Sequence, residues 1–271
     1  MNKGLTITLI TLLSLLVIGI IIGLIFLIRN GFTFNMDNYS TNLIEEKEIE
    51  NIKDLNINFN NIDLEIKESK EDIIKIELYS DYEKDHKIEE TEDSINVELY
   101  EENKFVFFKK TGRIIIYLPE DYKENISANG SVGDIRIGTL EKANLEVELS
   151  TGDIKAKELY YLRATLTTGD IKIEKVNNIV TKMSTGDIKI EEVNNYIDAS
   201  LKTGDIKIEK LDINENSKIE LTTGDVKIKD TNDIYVDAET NTGDTKIGSN
   251  NRKAEIEIVI RVHTGDIKVK K

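Results

Sequence analysis

Hydrophobic and polar residues alternate along most of the chain after residue 51. Alternation with a period of two, carried by Ile, Leu, Val and Phe, predicts half-buried β-strands. We predict strands at 55–59, 62–66, 74–78, 95–99, 104–108 and 113–118. Pro119 ends the last of these, because proline cannot donate a hydrogen bond to a sheet. The acidic segment 81–93 lacks the alternation and predicts a loop.

From residue 129 onward the alternation becomes a tandem repeat. A Thr-Gly-Asp tripeptide followed by alternating Ile and Lys recurs every 17 to 22 residues. In most repeats, apolar positions lie seven, five and three residues before the glycine, and two and four after it. The pattern predicts a strand, a tight corner at the glycine, a second strand and a looser corner. The corner residues are Gly133, Asp134, Gly152, Asp153, Gly169, Asp170, Gly186, Asp187, Gly204, Asp205, Gly224, Asp225, Gly243, Asp244, Gly265 and Asp266.

The looser corner absorbs the variation in repeat length. It contains Asn177-Asn178 in one copy and Asn194-Asn195 in another. Asparagine tolerates a left-handed backbone, and we expect that conformation at these positions.

Two architectures fit the repeat. In a two-sided β-solenoid, each unit is one coil and equivalent positions of successive coils lie side by side. In an antiparallel meander, the two strands of one unit would pair across the Thr-Gly turn. Uniform columns favour the solenoid: every copy has Asp after the glycine and a cation two residues further on. With coils stacked in chain order, Gly186 is central and Gly265 lies in the last coil, with a single neighbour.

An uncharged, apolar segment of 25 residues covers 4–28. Its length matches a membrane-spanning helix, and it lacks the small-residue cleavage site of a signal peptide. We therefore predict a transmembrane anchor at 1–29, a tether at 30–50, a degenerate β-strand region at 51–128 and the repeat array at 129–271. The basic residues near the anchor favour an extracytoplasmic location for the bulk of the chain.

Composition removes several functions. The chain has no Cys and two His, which excludes disulfides and thiolate chemistry and leaves few zinc ligands. Its net charge of −15 argues against a nucleic-acid partner, because phosphate contacts need clustered cations. We predict no cofactor.

The invariant aspartates are the most conspicuous candidate site. A stack of carboxylates resembles a Ca²⁺ site, but aspartate at a corner also accepts hydrogen bonds from main-chain N–H groups. We favour the hydrogen-bonding role and expect stability to be independent of calcium. The neighbouring column of cations predicts a solvated, self-neutralising face. Thr precedes the glycine in every copy except the first, which has Val132.

No catalytic or metal-binding residue is predicted. A β-helix enzyme acting on polysaccharides needs a cluster of acid, base or metal groups that interrupts the repeat. Asp198 and Asp237 are isolated outward positions. Tyr160, Tyr161 and Tyr196 lie near looser corners, where packing is the simpler role and stacking on a sugar the alternative.

The multiple Gly-Asp-Ile-Lys-Ile units and the leading apolar segment resemble a bacterial β-strand repeat family known by the label "putative adhesin". The resemblance covers roughly 51–271 and implies a β-solenoid-like envelope protein, often anchored in a membrane. It implies no catalytic or ligand residues. The expected function is a non-enzymatic adhesion or interaction module, or a sensing accessory of the cell envelope, whose partner is a protein or an envelope polymer. A polysaccharide-acting enzyme and a cytoplasm-facing regulatory scaffold are the alternatives.

Overall fold

The computed structural model describes residues 42–80, 86–100, 112–248 and 250–270. These residues form an all-β fold without helices. The strands are β1 (Leu43–Ile49), β2 (Asp54–Asn60), β3 (Ile62–Ser69), β4 (Ile74–Ser80), β5 (His86–Glu90), β6 (Ser94–Tyr100), β7 (Gly112–Pro119), β8 (Asn125–Val132), β9 (Ile135–Thr151), β10 (Ile154–Thr168), β11 (Ile171–Thr185), β12 (Ile188–Thr203), β13 (Ile206–Leu211), β14 (Ser217–Thr223), β15 (Val226–Ile228), β16 (Tyr235–Thr242), β17 (Thr245–Ile247), β18 (Glu257–Thr264) and β19 (Ile267–Val269).

Two predicted segments fall outside this description. They are the membrane anchor at 1–29 and the strand at 104–108. In the part of the chain that is described, no helix has the length and apolar character needed to cross a membrane.

The repeats form parallel coils. β10 pairs with β11 so that Ile154 lies opposite Ile171 and Leu166 lies opposite Met183, which are equivalent positions of successive units. A meander would instead pair the two strands of a single unit in antiparallel fashion. The solenoid-like alternative is therefore the one observed. In each coil we call the strand segment before the corner the first arm and the segment after it the second arm.

At the C-terminal end the coils do not stack in chain order. The first arm β18 lies between β14 and β16, and the second arm β19 lies between β15 and β17. The last repeat in the chain is thus inserted one place inward, and the repeat over 235–247 occupies the end of the stack. Our placement of Gly265 in a coil with one neighbour was wrong, because the coils of Gly224 and Gly243 flank it.

The polarity of the inward positions accounts for this exchange. The end coil turns Ala238, Thr240 and Thr245 toward the inside of the stack, whereas the inserted coil over 257–269 has Ile or Val at every inward position. Ile258 and Ile260 are fully buried. A terminal repeat needs a more polar inner surface because one side of it meets water.

A similar exchange occurs at the N-terminal end. β2 lies between β6 and β8, and β3 lies between β7 and β9. Three antiparallel strands close this end: β5 pairs with β6, β4 with β7, and β1 with β4. The segment 30–50, for which we predicted a tether, therefore contains strand β1. The segment 81–93, for which we predicted a loop, contains strand β5.

The looser corners differ from the prediction. β9 to β12 are strands of 15 to 17 residues that run through these positions without a break. Asn61, with a φ of 60°, is the one non-glycine residue with a positive φ among the described residues. The asparagines at the looser corners instead form amide ladders: Asn195 Nδ2 donates to Asn178 Oδ1 of the neighbouring coil at 2.8 Å.

The inward columns of both arms merge into one hydrophobic core along the stack. Ile171, Ile173 and Ile179 of a central coil are all fully buried. Burying one such side chain stabilises the fold by roughly 1.5–3 kcal/mol. The polar side chains of both arms in these coils lie on their outward faces.

Candidate functional site

The tight corner requires glycine for two reasons. The corner glycines have φ values between 132° and 148°, which side chains other than glycine rarely adopt. At Gly186, an added Cβ would also lie 1.9 Å from the carbonyl oxygen of Gly169 in the preceding coil. Adjacent corners are therefore in direct backbone contact.

The corner aspartates form a ladder that runs from coil to coil. The main-chain N–H of Asp187 donates to Oδ1 of Asp170 at 2.8 Å, and the N–H of Asp205 donates to Oδ1 of Asp187 at 3.0 Å. The ladder starts at the buried Asp63, which accepts from the N–H of Asp134 at 2.8 Å. The aspartates thus act as the predicted acceptors, but the donor belongs to the neighbouring coil.

The second carboxylate oxygen faces the column of cations. Lys189 Nζ lies 2.9 Å from Asp187 Oδ2, and Lys155 Nζ lies 3.3 Å from Asp153 Oδ2. The hydrogen bond from the Asp205 N–H, followed by that from Lys189, lowers the pKa of Asp187 below its ordinary value. Among the described residues, no group of three or more His, Asp or Glu side chains is placed to hold a metal ion. We call the outward side of the second arms the ion-pair face.

A second charged column on this side was missed in the sequence. Glu158, Lys175, Glu192 and Lys210 occupy the same position of four successive coils, so that the charge alternates. Lys175 contacts Glu158, and Lys210 contacts Glu192. Each pair joins residues 17 or 18 positions apart, and only the coil register shows that they are neighbours.

A polar cluster lies on the antiparallel strands at the N-terminal end. Glu77 accepts hydrogen bonds from the hydroxyls of Tyr79 at 3.0 Å and Tyr117 at 3.3 Å, and Lys75 Nζ lies 2.9 Å from it. Burial raises the pKa of Glu77, but the hydrogen bonds from Lys75 and the tyrosines outweigh burial and lower it. An ionised, fully bonded carboxylate joins β4 to β7 here and is poorly suited to act as a general acid.

The isolated candidates of the sequence do not form a common site. Asp237 contacts Arg261 of the neighbouring coil, and Asp198 is half-buried on the first arm of another coil. Tyr160 is exposed, and the guanidinium of Arg163 lies 6.0 Å from the ring of Tyr161. The structure therefore joins none of them into a cluster of acid and base groups.

The outward side of the first arms is different, because its N-terminal half is largely uncharged. Asn56 Nδ2 donates to Asn96 Oδ1 at 3.0 Å across two coils, and Asn129 Nδ2 donates to Ser127 Oγ at 3.3 Å. We call this surface the amide–hydroxyl face. Its uncharged members are Asn56, Asn58, Asn96, Tyr100, Ser127, Asn129, Ser131, Ser150, Thr165 and Thr167. Glu98, Glu146, Glu148 and Arg163 occupy outward positions on the flanking strands.

A shallow depression of about 390 Å³ opens on the amide–hydroxyl face. Asn58, Asn129 and Ser131 line it, with the ring of Phe59 beneath. Phe59 fills the space over Gly130, where a Cβ would lie 2.4 Å from the ring. Of the described residues that line the depression, Glu148 alone is charged.

The C-terminal half of the same side carries charges. Its depression of about 340 Å³ is lined by Lys202, Glu220, Glu239, Arg261 and His263, together with polar and apolar neighbours. The two halves of the first-arm surface thus share a backbone and differ in chemistry. This division is not visible in the sequence, because neighbouring uncharged positions such as Asn58 and Asn129 lie about 70 residues apart in the chain.

Comparison with known proteins gives a family match and several solved structures of low sequence identity. A search of the curated proteins finds no match. Solved structures that resemble it include a "putative cell adhesion protein" from Clostridium sporogenes, with 17% identity, 83% of this chain and 98% of that chain covered, and a TM-score of 0.32. A "putative adhesin" from Bacteroides fragilis has 17% identity, coverages of 86% and 98%, and a TM-score of 0.45. A "putative lipid binding protein" from Parabacteroides distasonis has 16% identity, coverages of 85% and 98%, and a TM-score of 0.46.

The family profile gives the firmer result. The profile of the Toastrack DUF4097 domain matches residues 52–270, which include both the degenerate N-terminal coils and the Thr-Gly-Asp array. The resemblance inferred from the Gly-Asp-Ile-Lys-Ile units is confirmed. The chain belongs to the Toastrack DUF4097 family.

Proposed function

We propose that this chain is a non-enzymatic binding module, anchored in the membrane by residues 1–29 and displayed outside a bacterial cell. Its partner is an envelope polymer or a protein, which it contacts through the outward side of the first arms. The module acts in adhesion or as a sensing accessory of the envelope.

One observation carries this proposal. Parallel coils present the same outward positions side by side, so the first arms form an open surface that continues across many coils. The ion-pair face neutralises its own charges, whereas the amide–hydroxyl face keeps hydrogen-bonding groups directed at solvent. An open, repetitive surface suits contact with an extended partner better than enclosure of a small substrate.

Two measurements test the proposal. Protease added to intact cells should degrade a C-terminal epitope on the full-length chain, and purified full-length chain should sediment with isolated cell envelopes. Protection in intact cells with loss after lysis would instead favour the cytoplasm-facing scaffold. Release of reducing ends from a polysaccharide would favour the enzyme.

A further inference from the structure

We infer that the amide–hydroxyl face binds an uncharged polysaccharide chain. The inference rests on the proposed function and names the chemical class of its ligand. Three properties of the face lead to it: its uncharged centre, its exposed tyrosine ring, and the regular spacing of its amides.

The centre of the amide–hydroxyl face differs in charge from the rest of the chain. The chain as a whole carries a net charge of −15, and its ion-pair face has a charged residue at most outward positions. At the centre of the amide–hydroxyl face, Asn56, Asn58, Ser127, Asn129 and Ser131 form an uncharged block over two adjacent coils. Glu98 lies beside Asn58 on one side of this block, and Glu146 and Glu148 lie beside Ser127 and Asn129 on the other. A polyanion would therefore meet carboxylates at the edges of the block and no cation among its five members.

The hydrogen-bonding groups match those of a sugar. An asparagine amide offers both donors and acceptors, as does each hydroxyl of Ser or Thr. A neutral sugar likewise carries hydroxyls that donate and accept. Neighbouring parallel strands lie about 4.8 Å apart, so a chain laid across the coils meets a new row of amides and hydroxyls at each step.

An exposed tyrosine lines the depression, and an exposed valine follows one of its lining residues in the chain. Tyr100 lines it and is 40% exposed, and Val132, which follows Ser131 in the chain, is 44% exposed. A tyrosine ring can stack against the C–H face of a sugar while its hydroxyl remains in water. Val132 is also the position at which the Thr column of the repeat is broken.

The same surface fits a protein partner less well. Protein interfaces have a core of large apolar and aromatic anchors that become fully buried. Apart from Tyr100, the outward side chains of the face are polar, and the apolar residues beneath it, such as Phe59 and Leu149, are buried in the core. A polysaccharide is therefore the occupant that we propose.

The test uses the full chain in a polyoxyethylene detergent, because detergents with sugar head groups would compete. The chain is passed over beads that carry a neutral β-glucan, a mannan, glycol chitin or the polyanion alginate. Wild type is compared with Asn129→Asp, which keeps the side-chain shape and adds a charge, and with Tyr100→Ala. The matched control is Asn241→Asp, an exposed position on the charged half of the same first-arm side. Circular dichroism verifies that each variant is folded.

We expect at least one neutral polysaccharide to retain the wild type and the control equally. Asn129→Asp and Tyr100→Ala should each bind about tenfold more weakly, as expected for the loss of roughly 1.4 kcal/mol of contact free energy. Alginate should retain none of the proteins. Retention by alginate alone, retention of all variants alike, or no retention by any neutral polysaccharide would overturn the inference. If envelope sedimentation persisted in that case, the binding-module proposal would stand with a different ligand.

Discussion

The corner aspartate Asp187 makes two kinds of contact with its two carboxylate oxygens. One oxygen accepts the main-chain N–H of Asp205 in the next coil, and the other faces Lys189 of its own coil. The first contact joins coils and the second lies on the surface. The two contacts should therefore differ in their effect on stability.

Removal of the carboxylate should cost more than removal of the lysine. Asp187→Ala leaves the Asp205 N–H without its acceptor, and we expect it to lower the free energy of unfolding by about 1 kcal/mol. Lys189→Ala removes an exposed ion pair and should stay within about 0.5 kcal/mol of wild type. Urea denaturation of both variants measures the difference. Equal losses would show that the inter-coil hydrogen bond contributes nothing specific.

The ladder also predicts a dependence of stability on pH. The pKa of Asp187 is lowered in the folded state. Its stabilising contribution is present above the unfolded pKa of about 3.9 and is lost as the pH falls through the lower folded value. Between about pH 5 and pH 2, wild type should therefore lose more stability than Asp187→Asn, which cannot titrate. Parallel pH profiles of the urea midpoint would contradict this.

At the residue scale, the sequence indicated which groups accept hydrogen bonds but not where their donors lie. The partner of Asn195 is Asn178, and the partner of Lys175 is Glu158, each 17 residues away. The repeat spacing is compatible with such pairs, but only the register between adjacent coils shows which residues pair. The expectation of left-handed asparagines failed because an amide ladder between coils leaves the strand extended.

Within each coil the elements are a first arm, a glycine corner and a second arm, and their periodicity is visible in the sequence. The order of stacking is not, because nearly identical repeats can pair with one another in any order. The sequence does contain one indication of the stacking order, which is the polarity of the inward positions. The repeat over 235–247 has Thr240 and Thr245 at inward positions, which suits the end of a stack and not its interior.

Glycine substitutions test this order at the level of coils. Gly186→Val and Gly265→Val both place a side chain against the carbonyl of an adjacent corner within the stack, with a backbone strain of roughly 1–3 kcal/mol. Both should lower protection from hydrogen exchange in the coils on either side. Gly243→Val, in the end coil, should expose mainly the amides of 235–247. If Gly265→Val instead lowered protection only at the end of the array, the coils would stack in chain order.

At the scale of the whole molecule, stacking order can be tested by covalent links. Thr223 pairs with Thr264 in the structure, at the strand spacing of about 4.8 Å that a disulfide can bridge. The pair Thr223→Cys and Thr264→Cys should therefore oxidise readily. The pair Thr223→Cys and Thr242→Cys, two coils apart, should not. The opposite result would indicate that the coils stack in chain order.

The whole molecule presents two outward sides with different roles in this account. The ion-pair face joins neighbouring coils, and we propose that the amide–hydroxyl face binds the partner. The Asp and Lys columns of the sequence predicted the ion-pair face. The amide–hydroxyl face required the structure, because the coil of 54–60 lies beside that of 125–131 only after the N-terminal coils exchange places.

The most direct test is to block one side at a time. Because the chain contains no cysteine, Ser131→Cys or Lys172→Cys provides a single attachment point for a long polyethylene glycol maleimide. Ser131 lies on the amide–hydroxyl face and Lys172 on the ion-pair face, and both are exposed. Sedimentation of the labelled full-length chains with isolated cell envelopes should be lost for Ser131→Cys and kept for Lys172→Cys. Unchanged binding with the polymer at Ser131, or loss of binding only with the polymer at Lys172, would contradict the account.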